Sequence, residues 1–173
     1  MPSPVGHALA GIAAGWLVDR PGTVARTAVF ALAGTAADVD LLFGAHSGPT
    51  HGLGAAVIVG TLVAVVSIVR LRADATRNAK EKAIRLGGAV MAAYASHTLL
   101  DWLGTDASPP IGIMALWPFS SDYYESHLHV FRAISRRYWL PEFLTSNARA
   151  LAGELVILLP LTALVFFTRR RPA

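Results

Sequence analysis

Cysteine is absent from all 173 residues. That excludes disulfides and every thiolate metal site, and it leaves histidine and carboxylate as the strong metal donors. Charge is scarce. Asp, Glu, Lys and Arg make up 15% of the chain, against about 25% in an ordinary soluble domain. Apolar residues make up 54%, and the mean hydropathy is +0.49. Such a chain is too apolar for an ordinary water-soluble globule. No HExxH motif is present, which argues against a zincin protease. No basic residue precedes the first apolar run, and His7 sits inside it, which argues against a secretory signal. The net charge is +4, but the basic residues are clustered. In an apolar chain such clusters orient membrane segments before they bind nucleic acid, so no nucleic-acid partner is expected.

Apolar runs cover 5–18, 23–43, 53–71, 84–103 and 150–168. At about 1.5 Å per helical residue, the first barely crosses a roughly 30 Å hydrocarbon core. The others are long enough or nearly so. The pattern predicts an all-α fold, a polytopic membrane helix bundle of about five helices with the first short. It is expected to be one domain over 1–173, with a long extracytoplasmic loop over 104–149. That loop holds Trp117, Phe119, Tyr123, Tyr124 and Trp139, rings suited to the headgroup level or to packing on helix ends.

The remaining polar residues carry the chemistry. His97 and Asp101 are four apart at the end of the fourth run, so a helix stacks them on one face. An imidazole and a carboxylate there grip one divalent cation; the alternative is a helix-capping Asp beside a hydrogen-bonded His. Asp38 and Asp40 end the second run, where carboxylates are expensive and functional by default. They are two apart and diverge on a regular helix. One ligand and one supporting residue are therefore expected unless the helix has ended. His46 and His51 share a short Gly/Pro loop that turns both imidazoles back over the helix ends.

Topology brings these together. Basic residues Arg70, Arg72, Arg77, Lys80, Lys82 and Arg85, offset by Asp74 and Glu81, and the tail Arg169–Arg171 fit the cytoplasmic side. The runs then place His7, Asp38, Asp40, His46, His51, His97, Asp101 and the aromatic loop together at the extracytoplasmic face. Arg132, Arg136, Arg137 and Arg149 are then external, matched by Asp106, Asp122, Glu125 and Glu142. Histidine and carboxylate without thiolate suit one or two ions, zinc first, with manganese or iron also fitting. The metal ligands expected are His51, His97 and Asp101, then His7 and Asp38. Asp38, Asp40 and His46 are the acid/base candidates. Such a site hydrolyses esters through metal-activated water. The expected partners are membrane lipids and a lipid-like or periplasmic ester substrate. A metal-binding transporter or adaptor is the non-enzyme alternative, and it requires polar residues through the spans. The run 53–71 offers only Thr61 and Ser67 as polar residues before Arg70, with Gly54 and Gly60 as small ones.

Pro4-Val5-Gly6-His7, Asp38-Val39-Asp40, His46 to His51, His97 to Asp101 and Trp117-Pro118-Phe119-Ser120 occur in the order seen in the YdjM-like family. The resemblance implies an inner-membrane, metal-dependent hydrolase of a kind sometimes under LexA control. A more distant likeness is to zinc-dependent phospholipase C and the single-strand-specific zinc nucleases. It implies His7, Asp38 or Asp40, His51, His97 and Asp101 as ligands. Those enzymes continue with an HxxxE pair. This chain has only His127 and His129 there, which favours one or two metals over three. Lipid phosphatases of the acid-phosphatase type also carry HxxxD, but their PSGH segment and Lys-Arg motif are missing here.

Overall fold

The structure, a computed structural model, describes residues 1–170 apart from 45, 72–75 and 107–108. Arg72, Asp74 and Arg171 of the basic segments lie outside the described residues. Five α-helices follow one another: α1 Pro4–Val18, α2 Val24–Thr35, α3 Leu53–Val69, α4 Arg77–Leu103 and α5 Phe143–Arg169. Two 3-10 helices, Ala36–Phe43 and Pro49–His51, link α2 to α3. Among the described residues there are no strands, and the loop after α4 carries two isolated bridges, Gly104 with Phe131 and Ile113 with Tyr124. The all-α expectation holds.

Helix starts are set by side chains that satisfy free backbone N–H groups. Ser3, Thr23 and Thr76 cap α1, α2 and α4, accepting from Gly6, Arg26 and Ala79. α3 has no side-chain cap. Instead the loop after α4 closes over it, and the Leu53 and Gly54 amides donate to the Ala115 and Trp117 carbonyls, each at 2.9 Å.

α4 is the central helix, packed by α1, α2 and α3, while α5 leans on α1. Helices α1, α3 and α5 run one way and α2 and α4 the other. Contact is closest where side chains vanish. A Cβ on Gly11 would lie 2.6 Å from the Phe30 carbonyl oxygen, and one on Gly87 would lie 2.6 Å from that of Gly60. Small residues at crossings are how helices associate without a hydrophobic drive between them. The buried core is Phe30, Ala33, Ala89, Val90 and Ala93.

The outer surface stays apolar. Leu62 and Val69 on α3 and Val156 and Leu164 on α5 are all exposed. α5 contains an 18-residue window of mean hydropathy 2.2, of which 22% is buried. By length and composition it is the one described helix able to cross a membrane; α1 and α3 are shorter apolar helices. α4 has the length, 27 residues, but its first turns carry Arg77, Lys80, Glu81, Lys82 and Arg85.

Several boundaries differ from the apolar runs. The run 23–43 is not one helix: α2 ends at Thr35 and the chain winds on more tightly. The Thr35 hydroxyl donates to the Ala31 and Leu32 carbonyls there, competing with the α-helical backbone pattern. α4 begins at Arg77 rather than 84, and α5 at Phe143 rather than 150. α3 stops at Val69, and the long loop is 104–142 rather than 104–149. Hydropathy marks which turns face an apolar medium, whereas caps and pairs such as Arg77–Glu81, 2.9 Å apart, carry a helix beyond it.

Candidate metal centre

The centre lies where the N-terminal ends of α1 and α3 meet the C-terminal ends of α2 and α4. Each side chain is placed by its own element. His97 and Asp101 stack one turn apart on α4, as their spacing requires. His7 is on the second turn of α1, pinned against α2 by the Gly11–Gly34 crossing. His51 ends the 3-10 helix that precedes α3 and is held there from α4. The Thr98 hydroxyl donates to the His51 carbonyl at 2.8 Å, and the Tyr94 hydroxyl donates to the Thr50 carbonyl at 2.8 Å.

Asp101 is the hub. Its Oδ2 faces His97 Nε2 at 3.1 Å and His51 Nε2 at 3.4 Å, and its Oδ1 faces His7 Nε2 at 3.3 Å. Asp38 Oδ1 closes the other side, 3.7 Å from both His51 Nε2 and His97 Nε2. All three imidazoles and Asp101 are buried, with His51 and His97 0% exposed. Rings of His7 and His97 stack at 3.7 Å. The His97 Nδ1–H donates to the Gly34 carbonyl at 2.8 Å, which leaves its Nε2 lone pair aimed at the carboxylates.

The donors fit a cation. His51 Nε2, His97 Nε2 and both Asp101 oxygens are buried with no hydrogen-bond partner among the described residues. Burying such groups unpaired is costly unless something else satisfies them. Four atoms bound tetrahedrally at about 2.0–2.2 Å stand about 3.3–3.6 Å apart. Of the six edges among His51, His97, Asp101 and Asp38, four run from 3.1 to 3.7 Å. His51, His97 and Asp101 form one geometrically suitable group, His7, Asp38 and His97 another, and Asp38, His46 and His51 a third.

Asp40 takes a different place from Asp38. Its Oδ2 accepts from the Thr50 hydroxyl at 3.1 Å and faces His51 Nδ1 at 3.3 Å, orienting that ring. Its Oδ1 is buried without a hydrogen-bond partner, 3.8 Å from His46 Nδ1. The tight 3-10 winding is what lets both acids reach the same histidine. His46 stands at the mouth, 4.0 Å from Asp38 Oδ1, and its Nε2 accepts from the Arg136 guanidinium at 3.3 Å. Both histidines lie in the link between α2 and α3. Burial alone would lower the His51 imidazole, but the Asp38 and Asp40 carboxylates hold it up at about 9. Burial, with His51 and Arg136 alongside, lowers His46 below the ordinary histidine range.

A family model described as YdjM inner membrane protein matches residues 1–172. The chain belongs to the YdjM inner membrane protein family. Membership covers the whole fold just described and agrees with its exposed apolar helices. No curated protein and no solved structure matches the chain.

All seven residues singled out by the sequence, His7, Asp38, Asp40, His46, His51, His97 and Asp101, come together. Two further residues escaped notice. Glu154 on α5 is 1% exposed and accepts from the Ser3 amide at 2.7 Å and from the Ser3 hydroxyl, tying α5 to the first turn of α1 just before His7. An acid inside an otherwise apolar run was its signal. Arg136 had been read only as an external charge matched by acids. The described arginine ion pairs are Arg26–Asp19 and Arg77–Glu81, and Arg136 stands on His46 instead. His127 and His129 face Glu125 at 3.4 and 3.6 Å and make no ion pair with the buried centre. In the aromatic loop Trp117 and Tyr124 are half-buried over α3 and α4, as packing on helix ends requires, and Phe119 is 97% exposed.

Proposed function

We propose that this is a multi-pass membrane hydrolase with a His/Asp zinc centre at the extracytoplasmic face, cleaving an ester in a lipid or another substrate near the membrane. One observation carries the reading. Three buried donor atoms, His51 Nε2, His97 Nε2 and Asp101 Oδ2, face one another without a hydrogen-bond partner among the described residues, and the partly exposed Asp38 Oδ1 stands 3.7 Å from both imidazoles. His51, His97, Asp101 and Asp38 would hold the first ion. His7, on the other oxygen of Asp101, would steady that carboxylate or begin a second site. A divalent cation bound there supplies Lewis-acid polarisation and makes water acidic enough to attack at neutral pH.

The chain's own groups handle the protons. Arg136 occupies the His46 Nε2 lone pair, so the ring proton sits on Nδ1, facing the centre. His46 then offers its Nδ1–H as a hydrogen-bond donor to the leaving oxygen. Asp40 Oδ1, the unpartnered carboxylate oxygen opposite, is the base that takes the proton of the attacking water. Asp40 also orients His51. A conduit is the weaker reading, because below the centre the helices close on an apolar core of Phe30, Ala33, Ala89, Val90 and Ala93.

The orientation follows the charges. Arg20, Arg26, Arg70, Arg77, Lys80 and Arg169 all lie at the helix ends away from the centre, which favours that end as cytoplasmic. The exposed faces of α1, α3 and α5 would meet lipid. The test has two parts. Zinc is measured by mass spectrometry in detergent-purified wild type and His97→Ala, and ester lipids are screened for turnover. One or two equivalents of zinc, lost in the variant, are expected; none in either protein after reconstitution would sink the reading. Because the chain lacks cysteine, Phe119→Cys and Lys80→Cys report topology directly. An impermeant maleimide outside intact cells should label the first and spare the second.

A further inference from the structure

The mouth of the centre is a cavity of about 390 Å³. Asp38 and His46 line it on the metal side, Arg136 and Arg137 on another, and Leu41 and Leu140 add apolar wall. Both arginines are exposed on the rim, and two cationic side chains beside a site built to hold a divalent cation repel it. An anionic substrate group between them offsets that repulsion, beside the Asp38 and Asp106 carboxylates that line the same cavity. Arginine is suited to the task, because its planar fork pairs with two oxygens of a phosphate at once.

The backbone that carries the arginines is held in place. Asn147 on α5 clamps the backbone of Ser135 from both directions: its Oδ1 accepts the Ser135 amide at 2.8 Å and its Nδ2 donates to the Ser135 carbonyl at 2.9 Å. The neighbouring Ile134 amide donates to the Met1 carbonyl at 3.0 Å. Among the described residues neither Arg136 nor Arg137 is in an ion pair; Arg136 commits one N–H to His46, which leaves the rest of both forks for a ligand. A neutral carboxyl ester would leave them unused and facing the metal.

We infer that the substrate is a phosphate ester, whose non-bridging oxygens are held by Arg136 and Arg137 over the Asp38–His46 side of the centre. The inference rests on the hydrolase reading above and narrows it. In the reaction, water oxygen forms a new bond to phosphorus and the bond from phosphorus to the leaving alcohol oxygen breaks. One water proton goes to Asp40, which passes it on to the leaving alcohol oxygen, while the His46 Nδ1–H donates a hydrogen bond to that oxygen. Arg136, by holding the His46 tautomer as well as the phosphate, joins recognition to the hydrogen bond on the leaving oxygen.

The test uses the full chain, zinc-loaded in detergent, with inorganic phosphate as the probe in calorimetry. Zinc content is read on the same samples. Wild type should bind phosphate. Arg136→Gln/Arg137→Gln should bind it about 10–100-fold more weakly, the loss expected for hydrogen bonds to a charged group, with zinc content unchanged. Arg136→Lys should recover part of the loss. Turnover is then compared for a phosphodiester, a phosphomonoester and a carboxyl ester sharing one chromophoric leaving group. Phosphate binding that is absent, or equal in the double variant, overturns the inference. So does turnover of the carboxyl ester alone by a zinc-loaded protein, which leaves the hydrolase reading standing. Failure of wild type to hold zinc removes both. Glycerol 2-phosphate and phosphatidylglycerol vesicles separate the two sources of the phosphate: cleavage of the first marks a soluble ester, and cleavage of the second a lipid headgroup.

Discussion

Asp101→Asn isolates the hub of the centre with almost no change of shape. In the native protein the carboxylate faces three imidazoles within 3.4 Å, with both oxygens otherwise unpartnered. The amide keeps the volume but removes the charge and replaces one oxygen by an N–H donor. Structural zinc held by four ligands is worth about 10–16 kcal/mol at neutral pH, so one donor accounts for about 2.5–4 kcal/mol. Zinc should therefore bind about 10²–10³-fold more weakly. Asp40→Asn is the internal control. It loses a group that orients His51 rather than a donor, and should weaken zinc about 10–100-fold. Competition with a chromophoric chelator in detergent measures both, and the membrane fraction shows whether the variants still insert. Wild-type affinity in Asp101→Asn, or a larger loss in Asp40→Asn than in Asp101→Asn, would refute the placement of Asp101 at the centre.

Three other changes probe the scaffold and its titration. Gly34→Ala puts a methyl group against the His7 carbonyl and the Gly11 backbone, which is 2.9 Å away at Cα. It should cost about 1–3 kcal/mol or more by overpacking, and an unchanged melting temperature in detergent would contradict the close crossing. Glu154→Ala strands the buried Ser3 amide and hydroxyl without an acceptor. A loss of about 1–3 kcal/mol is expected in thermal or denaturant unfolding, with Glu154→Gln milder because it keeps one acceptor. Zinc must displace the proton that His51 retains up to about 9. The sign is that acid favours the proton over the metal, so apparent affinity should fall by up to about tenfold per pH unit below that value. Affinity that is flat between roughly pH 6 and 8 would show that zinc does not compete with a proton held on His51.

Much of this was legible before any coordinates. The absence of cysteine restricted the strong donors to His and Asp, and the low charge pointed to a membrane. The four-residue spacing of His97 and Asp101 dictated a shared helix face. Local chemistry of this kind survives in any fold that forms the helix, because the period of 3.6 residues belongs to the backbone. Alternation of the apolar runs also placed His7, Asp38, Asp40, His46, His51, His97 and Asp101 at one end, since each run reverses the chain.

Tertiary structure alone decided the rest. Asp38 and Asp40 separate into a donor facing two imidazoles and a partner of Thr50 and His51 only because α2 tightens after Thr35, a change no hydropathy plot records. The His97 tautomer depends on the Gly34 carbonyl, brought close by a glycine crossing 63 residues away in the chain. Glu154 meets Ser3 across 151 residues, and Arg136 meets His46 across 90. Residue type and spacing determine what a short stretch can do. Which group holds a proton, a metal or an anion depends on neighbours that only packing supplies, because burial and charge act through space and not along the chain.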